Sequence, residues 1–153
     1  MKKDDLTLFD IPEFSLGQRF SLLGKLYFSI LSDKLKHLGI DKHFSILVLI
    51  ERTGDHCSQK FIADTLYIDK ATLVGKLDNL EKQGFIKRIH NPADRREYWV
   101  QLTDKAAACI PEIQAVITQV NEMMTAGLTP EEAAVFHTAL HNIYDNIRNI
   151  PEA

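Results

Sequence analysis

Two short apolar periods, each opened by its own capping residue and separated only by Tyr67-Ile68, restrict this chain more than any other feature. Ser58 suits the N-cap of a helix over residues 59–66, with Phe61, Ile62 and Leu66 inward. Asp69 suits the N-cap of a second helix over 70–83, with Leu73, Val74, Leu77 and Leu80 inward and Gly84 as its stop. Helices joined so tightly cannot lie antiparallel over a long contact, so they must cross steeply, as in a helix-turn-helix. The apolar period then switches from helical to alternating. Residues 85–90 and 97–102 read as two strands, the second with Tyr98, Val100 and Leu102 on one face. The polar loop 91–96 between them carries Arg95 and Arg96, so the pair reads as a β-hairpin with an arginine-bearing tip.

Long amphipathic helices are predicted on both sides. Over residues 14–38, Phe20, Leu23, Tyr27, Ile30 or Leu31, Leu35 and Leu38 recur at helical spacing, and Gly39 ends the run. Asp41 is expected to cap a further helix carrying Phe44, Leu47, Val48 and Ile50. Thr103 should cap a long helix with Ile110, Ile113, Val116, Ile117, Val120, Met123 and Met124, bent at Pro111. Thr129-Pro130-Glu131-Glu132 is a capping-box start for a last helix bearing Phe136, Ala139 or Leu140, Ile143 and Ile147. The expected organisation is an N-terminal arm and helix (1–40), a core (41–102) that folds without its flanks, and C-terminal helices (103–153). The fold class is mostly α with a small β-hairpin.

Composition narrows function by exclusion. With 153 residues, 45% hydrophobic and 25% charged, the chain is long enough for one domain with a true core and too apolar for disorder. Its formal net charge of −3 excludes a histone-like polybasic protein. The longest apolar run, 46–50, is far short of the roughly 20 residues of a membrane helix, and the N-terminus lacks the pattern of a signal peptide. Cys57 and Cys109 make neither a disulfide framework nor a metal-binding pair, so a reducing cytoplasm is the expected location. No nucleophile elbow, phosphate-binding loop, dinucleotide fingerprint or zinc-protease motif is present, so no enzyme, cofactor or metal is expected. His137 and His141 share a helix face but have no third ligand in the sequence, and read as surface histidines.

Charge is distributed unevenly. Residues 60–96 hold Lys60, Lys70, Lys76, Lys82, Lys87, Arg88, Arg95 and Arg96 against Asp64, Asp69, Asp78, Glu81 and Asp94, a net +3, while the remainder carries −6. The positive segment coincides with the helix-turn-helix and hairpin, where a duplex would be met. On the second short helix, Lys70, Thr72 and Lys76 are placed on one side, opposite Leu73, Leu77 and Leu80, where they would face a major groove. Arg95 and Arg96 would enter a minor groove from the hairpin tip. Asp94 would hold one of them extended through a bidentate pair.

The stretch Ser58-Gln59-Lys60-Phe61-Ile62-Ala63-Asp64, then Ile68-Asp69-Lys70-Ala71-Thr72-Leu73-Val74, then residues 77–88, resembles the winged helix-turn-helix of MarR-type bacterial regulators. Asp94-Arg95-Arg96 followed by Val100-Gln101-Leu102-Thr103 resembles that family's Asp-x-Arg…Leu-Thr wing signature. The flanking helices match in order and length. The resemblance implies a homodimer built from the terminal helices and bound to a pseudo-palindromic duplex. Carried over by position, DNA contacts fall on Gln59, Lys70, Ala71, Thr72, Gly75 and Lys76, with Arg96 in the minor groove and Asp94 supporting it. Two positions depart from the pattern: Gly75 replaces a usual arginine, and Lys76 a usual small or apolar residue. Release of DNA by a small aromatic or lipophilic effector is also implied, with Phe20, Tyr27, His43 and Phe44, and the neighbouring Phe14 and Phe28, as pocket candidates. Peroxide-sensing relatives carry a reactive cysteine in the first helix. This chain has none there, so Cys57 and Cys109 read as small buried apolar residues. The rival reading is a winged-helix protein-interaction module that has lost DNA binding, suggested by Gly75 and the acidic net charge.

Overall fold

The computed structural model describes residues 11, 13–40, 42–94 and 96–151. In chain order it has α1 (Leu16–Leu35), a single 3-10 turn (Lys36–Leu38), α2 (Phe44–Thr53), α3 (Gln59–Leu66), α4 (Lys70–Lys82), β1 (Ile86–His90), β2 (Tyr98–Leu102), α5 (Asp104–Met124) and α6 (Pro130–Arg148). This is a winged helix-turn-helix with helices before and after it, mostly α with one antiparallel hairpin. The chain divides into two compact units, residues 1–118 and 119–153, with the division falling inside α5.

Local chemistry explains most boundaries. Ser15 and Gln18 form a capping box at α1, and Thr129 and Glu132 form another at α6, where Pro130 occupies the first turn. Ser58 Oγ accepts the Phe61 backbone N–H at 3.1 Å to start α3, and Asp69 Oδ1 accepts that of Thr72 at 2.9 Å to start α4. Between them Tyr67 takes a left-handed conformation, φ 50°, and its N–H returns to the Ala63 carbonyl. The other end of α4 needs the freedom of glycine, since Gly84 has φ 76°.

One sequence expectation changes, and one contact is new. Asp41 lies outside the described residues, and α2 starts later, at a His43 N-cap that makes no side-chain cap bond. Burial of Phe44, Ile46, Leu47 and Ile50 holds this helix where a cap does not. Helix α5 runs through Pro111 as one element, as the sequence predicts; the proline removes a hydrogen bond without ending the helix. The hairpin is also joined by a partner that no alternation announces. Ser58 forms an isolated antiparallel bridge with Trp99, and the Val100 N–H donates to the Cys57 carbonyl at 2.8 Å. The residues just before α3 therefore extend the hairpin by one rung, tying the wing to the helix-turn-helix.

The core of the first unit gathers Leu47, Ile50, Ile62, Leu73, Leu77, Leu80, Phe85 and Val100, all fully or almost fully buried. It reaches beyond 41–102: Leu31, Leu35, Ile40, Ile110 and Ile113 are equally buried, so the flanking segments contribute to it. His37 Nε2 and Glu112 Oε1, 2.7 Å apart, mark where the end of the N-terminal helical segment meets α5. Two residues expected inward, Phe61 and Val74, are exposed instead. Cys57 is buried, and burial pushes its thiol pKa up, away from the thiolate form that reactivity requires. Cys109 is only half-buried, with Sγ against the Lys105 carbonyl at 3.3 Å.

In the second unit, α6 buries none of its side chains, and Val135, Phe136, Tyr144 and Ile147 stand exposed along it. In the first unit Leu16, Leu23, Leu26, Phe28 and Ile30 of α1 are also exposed. So much uncovered apolar surface on terminal helices is unusual for a finished monomer.

Candidate nucleic-acid interface

The interface candidates sit on α3, α4 and the 91–97 loop, all in the first unit. On α4 the buried row Leu73, Leu77 and Leu80 sets the inner side. With about 100° between successive residues, the outermost line runs through Ala71 and Gly75. Lys70 and Lys76 are six positions apart, which places them on opposite flanks of that line and not on one side. Their surroundings agree. Lys70 lines a groove of about 340 Å³ with Gln59, Lys60, Asp64 and Val74. Lys76 is half-buried and lines a different cavity with Phe28, Lys42, Ile46 and Leu66. The helix thus presents small residues at its crest and one lysine on each shoulder.

That crest has a chemical use. Small side chains let a helix backbone sit deep in a groove, and flanking ammonium groups reach outward to the phosphates on either side. A Cβ built on Gly75 meets no atom within 4 Å, so the glycine is not required by packing. Gly75→Ala should therefore raise unfolding stability by about 1 kcal/mol in urea denaturation, the ordinary helix-propensity gain.

Asp69 links cap and charge. The Thr72 hydroxyl, then the Thr72 backbone N–H, hold its carboxyl below the usual aspartate range. The Thr72 side chain is thus partly committed to the helix start. A lowered folded-state pKa stabilises the protein above the unfolded value, about 4, and that contribution is lost as pH falls through the folded value. In thermal melts from pH 7 to pH 3, the advantage of wild type over Asp69→Ala should be present at neutral pH and shrink below about pH 4.

The wing loop is closed at its base. The Asn91 backbone N–H donates to the Glu97 carbonyl at 2.9 Å, and Asn91 Nδ2 donates to Glu97 Oε2 at 2.7 Å. Asn91 Oδ1 accepts the Ala93 N–H at 2.9 Å. Asp94 Oδ1 accepts the Arg96 backbone N–H at 2.9 Å, and the Glu97 N–H returns to the Asp94 carbonyl at 3.0 Å. Asp94 supports Arg96 by shaping a local turn and forms no ion pair with it; the alternative pair with Arg95 falls outside the described residues. Arg96 is exposed, and its guanidinium makes no ion pair among the described residues. Arg95 lies outside the described residues.

Sequence reasoning missed Arg88, counting it as one more exposed cation. Its Nη1 donates to Asp78 Oδ1 at 2.7 Å and to Glu81 Oε2 at 2.9 Å, and its backbone N–H donates to Glu81 Oε1 at 3.0 Å. The signal was available, because Arg88 stands two residues from buried Ile86 on the same strand face, where a charge needs a partner. Asn91, in a loop read only as polar, and Glu97, read as the first residue of the second strand, were missed too.

Of the proposed effector residues, Phe44 and His43 are buried, while Phe20 and Tyr27 are half-buried. Phe28 packs edge-on to Tyr27 at 5.5 Å between ring centroids and lies 6.1 Å from Phe44. Phe28 and Lys42 line both the cavity containing Lys76 and a neighbouring one with Ser21, Gly24, Lys25 and Ser29.

Residues 41–98 match the model of the MarR family. Solved structures share the fold. A MarR protein from Peptoclostridium difficile is 23% identical with a TM-score of 0.85, covering 94% of each chain. A MarR transcriptional regulator from Methanosarcina mazei Go1 is 24% identical with a TM-score of 0.82, over 89% of this chain and 98% of that one. A MarR family transcriptional regulator from Listeria monocytogenes, solved in complex with 26mer DNA, is 23% identical with a TM-score of 0.83, over 92% of this chain and 99% of that one.

Proposed function

We propose that this chain, whose winged helix-turn-helix segment at residues 41–98 belongs to the MarR family, is a homodimeric transcriptional repressor that binds a pseudo-palindromic duplex. The observation that carries this reading is the pairing of two cationic elements, each at least partly open to solvent. One is the Ala71–Gly75 crest of α4 with Lys70 and Lys76 on its shoulders; the other is Arg96 on a hydrogen-bonded wing. A regulator solved with DNA in the same fold supports it. Each subunit would place α4 in a major groove, with half-sites about 10 bp apart, and reach a flanking minor groove with Arg96 and Arg95. Gln59 opens α3 beside Lys70 and would meet the phosphate backbone.

Two finer elements belong to the proposal. Dimerisation would cover the exposed apolar residues of α1 and α6. A small aromatic or lipophilic effector would enter the cavities around Phe28 and Lys42, where it would meet Lys76 on the DNA-facing helix.

The test is selection of bound duplexes from a random library at two salt concentrations. Enrichment of a pseudo-palindrome, lost steeply at higher salt, is expected because lysine and arginine contacts release counterions. A stable dimer that enriches no duplex at either salt would favour the interaction-module reading. Within the same assay, Arg96→Ala should weaken binding about tenfold and lose preference for A·T flanks, since one minor-groove arginine is worth about 1–3 kcal/mol. Its melting temperature should stay unchanged, because the side chain has no ion pair to lose among the described residues.

A further inference from the structure

We infer that Arg88 is a positioning residue that fixes the wing to the recognition helix, and thereby sets the distance between the major-groove and minor-groove contacts. The inference rests on the DNA-binding reading above, although its structural half can be tested without DNA. Arg88 stands in β1, paired across the hairpin with Val100. Its side chain is only 17% exposed and turns back onto α4 instead of outward. There it spans two turns of the helix. One guanidinium nitrogen bonds Asp78 and Glu81, and the other lies 3.5 Å from the Val74 carbonyl. Glu81 holds Arg88 twice, by guanidinium and by backbone N–H. A strand held at both main chain and side chain can neither slide along the helix nor rotate about it without breaking both contacts.

Geometry then transmits the constraint outward. Two residues beyond Arg88, His90 stacks on Tyr98 at 4.4 Å between centroids. Asn91 and Glu97 follow and close the loop that bears Arg96. Each step from α4 to the wing arginine is thus a fixed contact. The pairing also has an electrostatic effect. Asp78 and Glu81 are carboxylates on the helix proposed to enter the groove, and the Arg88 guanidinium neutralises part of their charge before a phosphate approaches. A lysine at this position supplies one point charge and not a planar fork, so it cannot satisfy both carboxylates with the same geometry.

The experiment compares wild type with Arg88→Met, Arg88→Lys and Asp78→Asn. Asp78 is mostly exposed, so Asp78→Asn leaves the core intact and serves if Arg88→Met folds poorly. The first readout is amide hydrogen exchange of residues 86–102 in the protein without DNA. Arg88→Met should speed exchange in the wing about tenfold while α1 and α6 are unchanged, and Arg88→Lys and Asp78→Asn should fall between it and wild type. The second readout is duplex selection. Arg88→Met should keep the central sequence that wild type selects but accept varied spacing to the flanking A·T steps. Wing exchange equal to wild type in both Arg88→Met and Asp78→Asn overturns the inference. So does unaltered flank spacing in Arg88→Met. If wild type selects no duplex, the DNA-binding reading fails, and the exchange data still decide whether Arg88 fixes the wing.

Discussion

Ile147→Glu is expected to convert the proposed dimer to a monomer and to lower affinity for a two-half-site operator by about 100-fold or more. In the single chain Ile147 is 62% exposed, so a charge there removes nothing the lone subunit relies on. A surface substitution of that kind ordinarily changes stability by less than about 0.5 kcal/mol. A large effect must therefore come through a second subunit, where the same carboxylate would be trapped against apolar side chains. The loss on DNA follows from linkage, because two joined recognition helices turn the second half-site into an intramolecular event. Sedimentation velocity and titration of one operator duplex read the two consequences separately. A variant that sediments as a dimer and binds like wild type places the subunit contact away from this face of α6.

The second large effect lies at the opposite extreme of exposure. Leu77→Ala should destabilise the protein by about 3 kcal/mol, at the cost typical of a buried leucine truncated in a closed core. Leu77 is fully buried and shares the inner row of α4 with Leu73 and Leu80. Its loss loosens the seat of the recognition helix while leaving every proposed DNA contact in place. Below the melting transition, affinity should fall less than tenfold. Urea denaturation and duplex titration at one low temperature, run on the same preparation, separate seat from contact. A shift under about 1 kcal/mol in unfolding free energy would show that the surrounding residues collapse into the space, which a close-packed interior resists.

The fold was legible where a residue's own chemistry decides its conformation. Ser58, Asp69 and Thr129 announce helix starts because their side chains bond the first free N–H groups, and all three do so. Gly39 and Gly84 end their elements in left-handed conformations. Asp41 misled because α2 is set by what Phe44, Ile46 and Leu47 bury, a tertiary effect that no cap rule registers. The Ser58–Trp99 bridge was illegible for a different reason, as a single rung has no alternation to read. Within the candidate site, the types of residue were readable and their directions were not. Lys70 and Lys76 were placed on one side by proximity in sequence, although helical phase separates them. Arg88 was counted as exposed charge because pairing to Asp78 and Glu81 depends on how a strand lies across a helix. Phe61 and Val74 look like core residues in the sequence, yet both are exposed.

Thr103 gives the hairpin one further property. Its hydroxyl donates to the Gly84 carbonyl at 2.7 Å, approaches the Phe85 carbonyl at 3.2 Å and accepts the Ala106 N–H at 3.3 Å. Its backbone N–H reaches the Phe85 carbonyl at 3.0 Å. The exit of α4, the entry to β1, the end of β2 and the first turn of α5 thus meet at a single side chain. Fraying of any one of these ends costs a bond at Thr103 and so weakens the hold on the others. Shared bonds of this kind couple the opening of the four ends, so amide exchange there is expected to report similar opening energies.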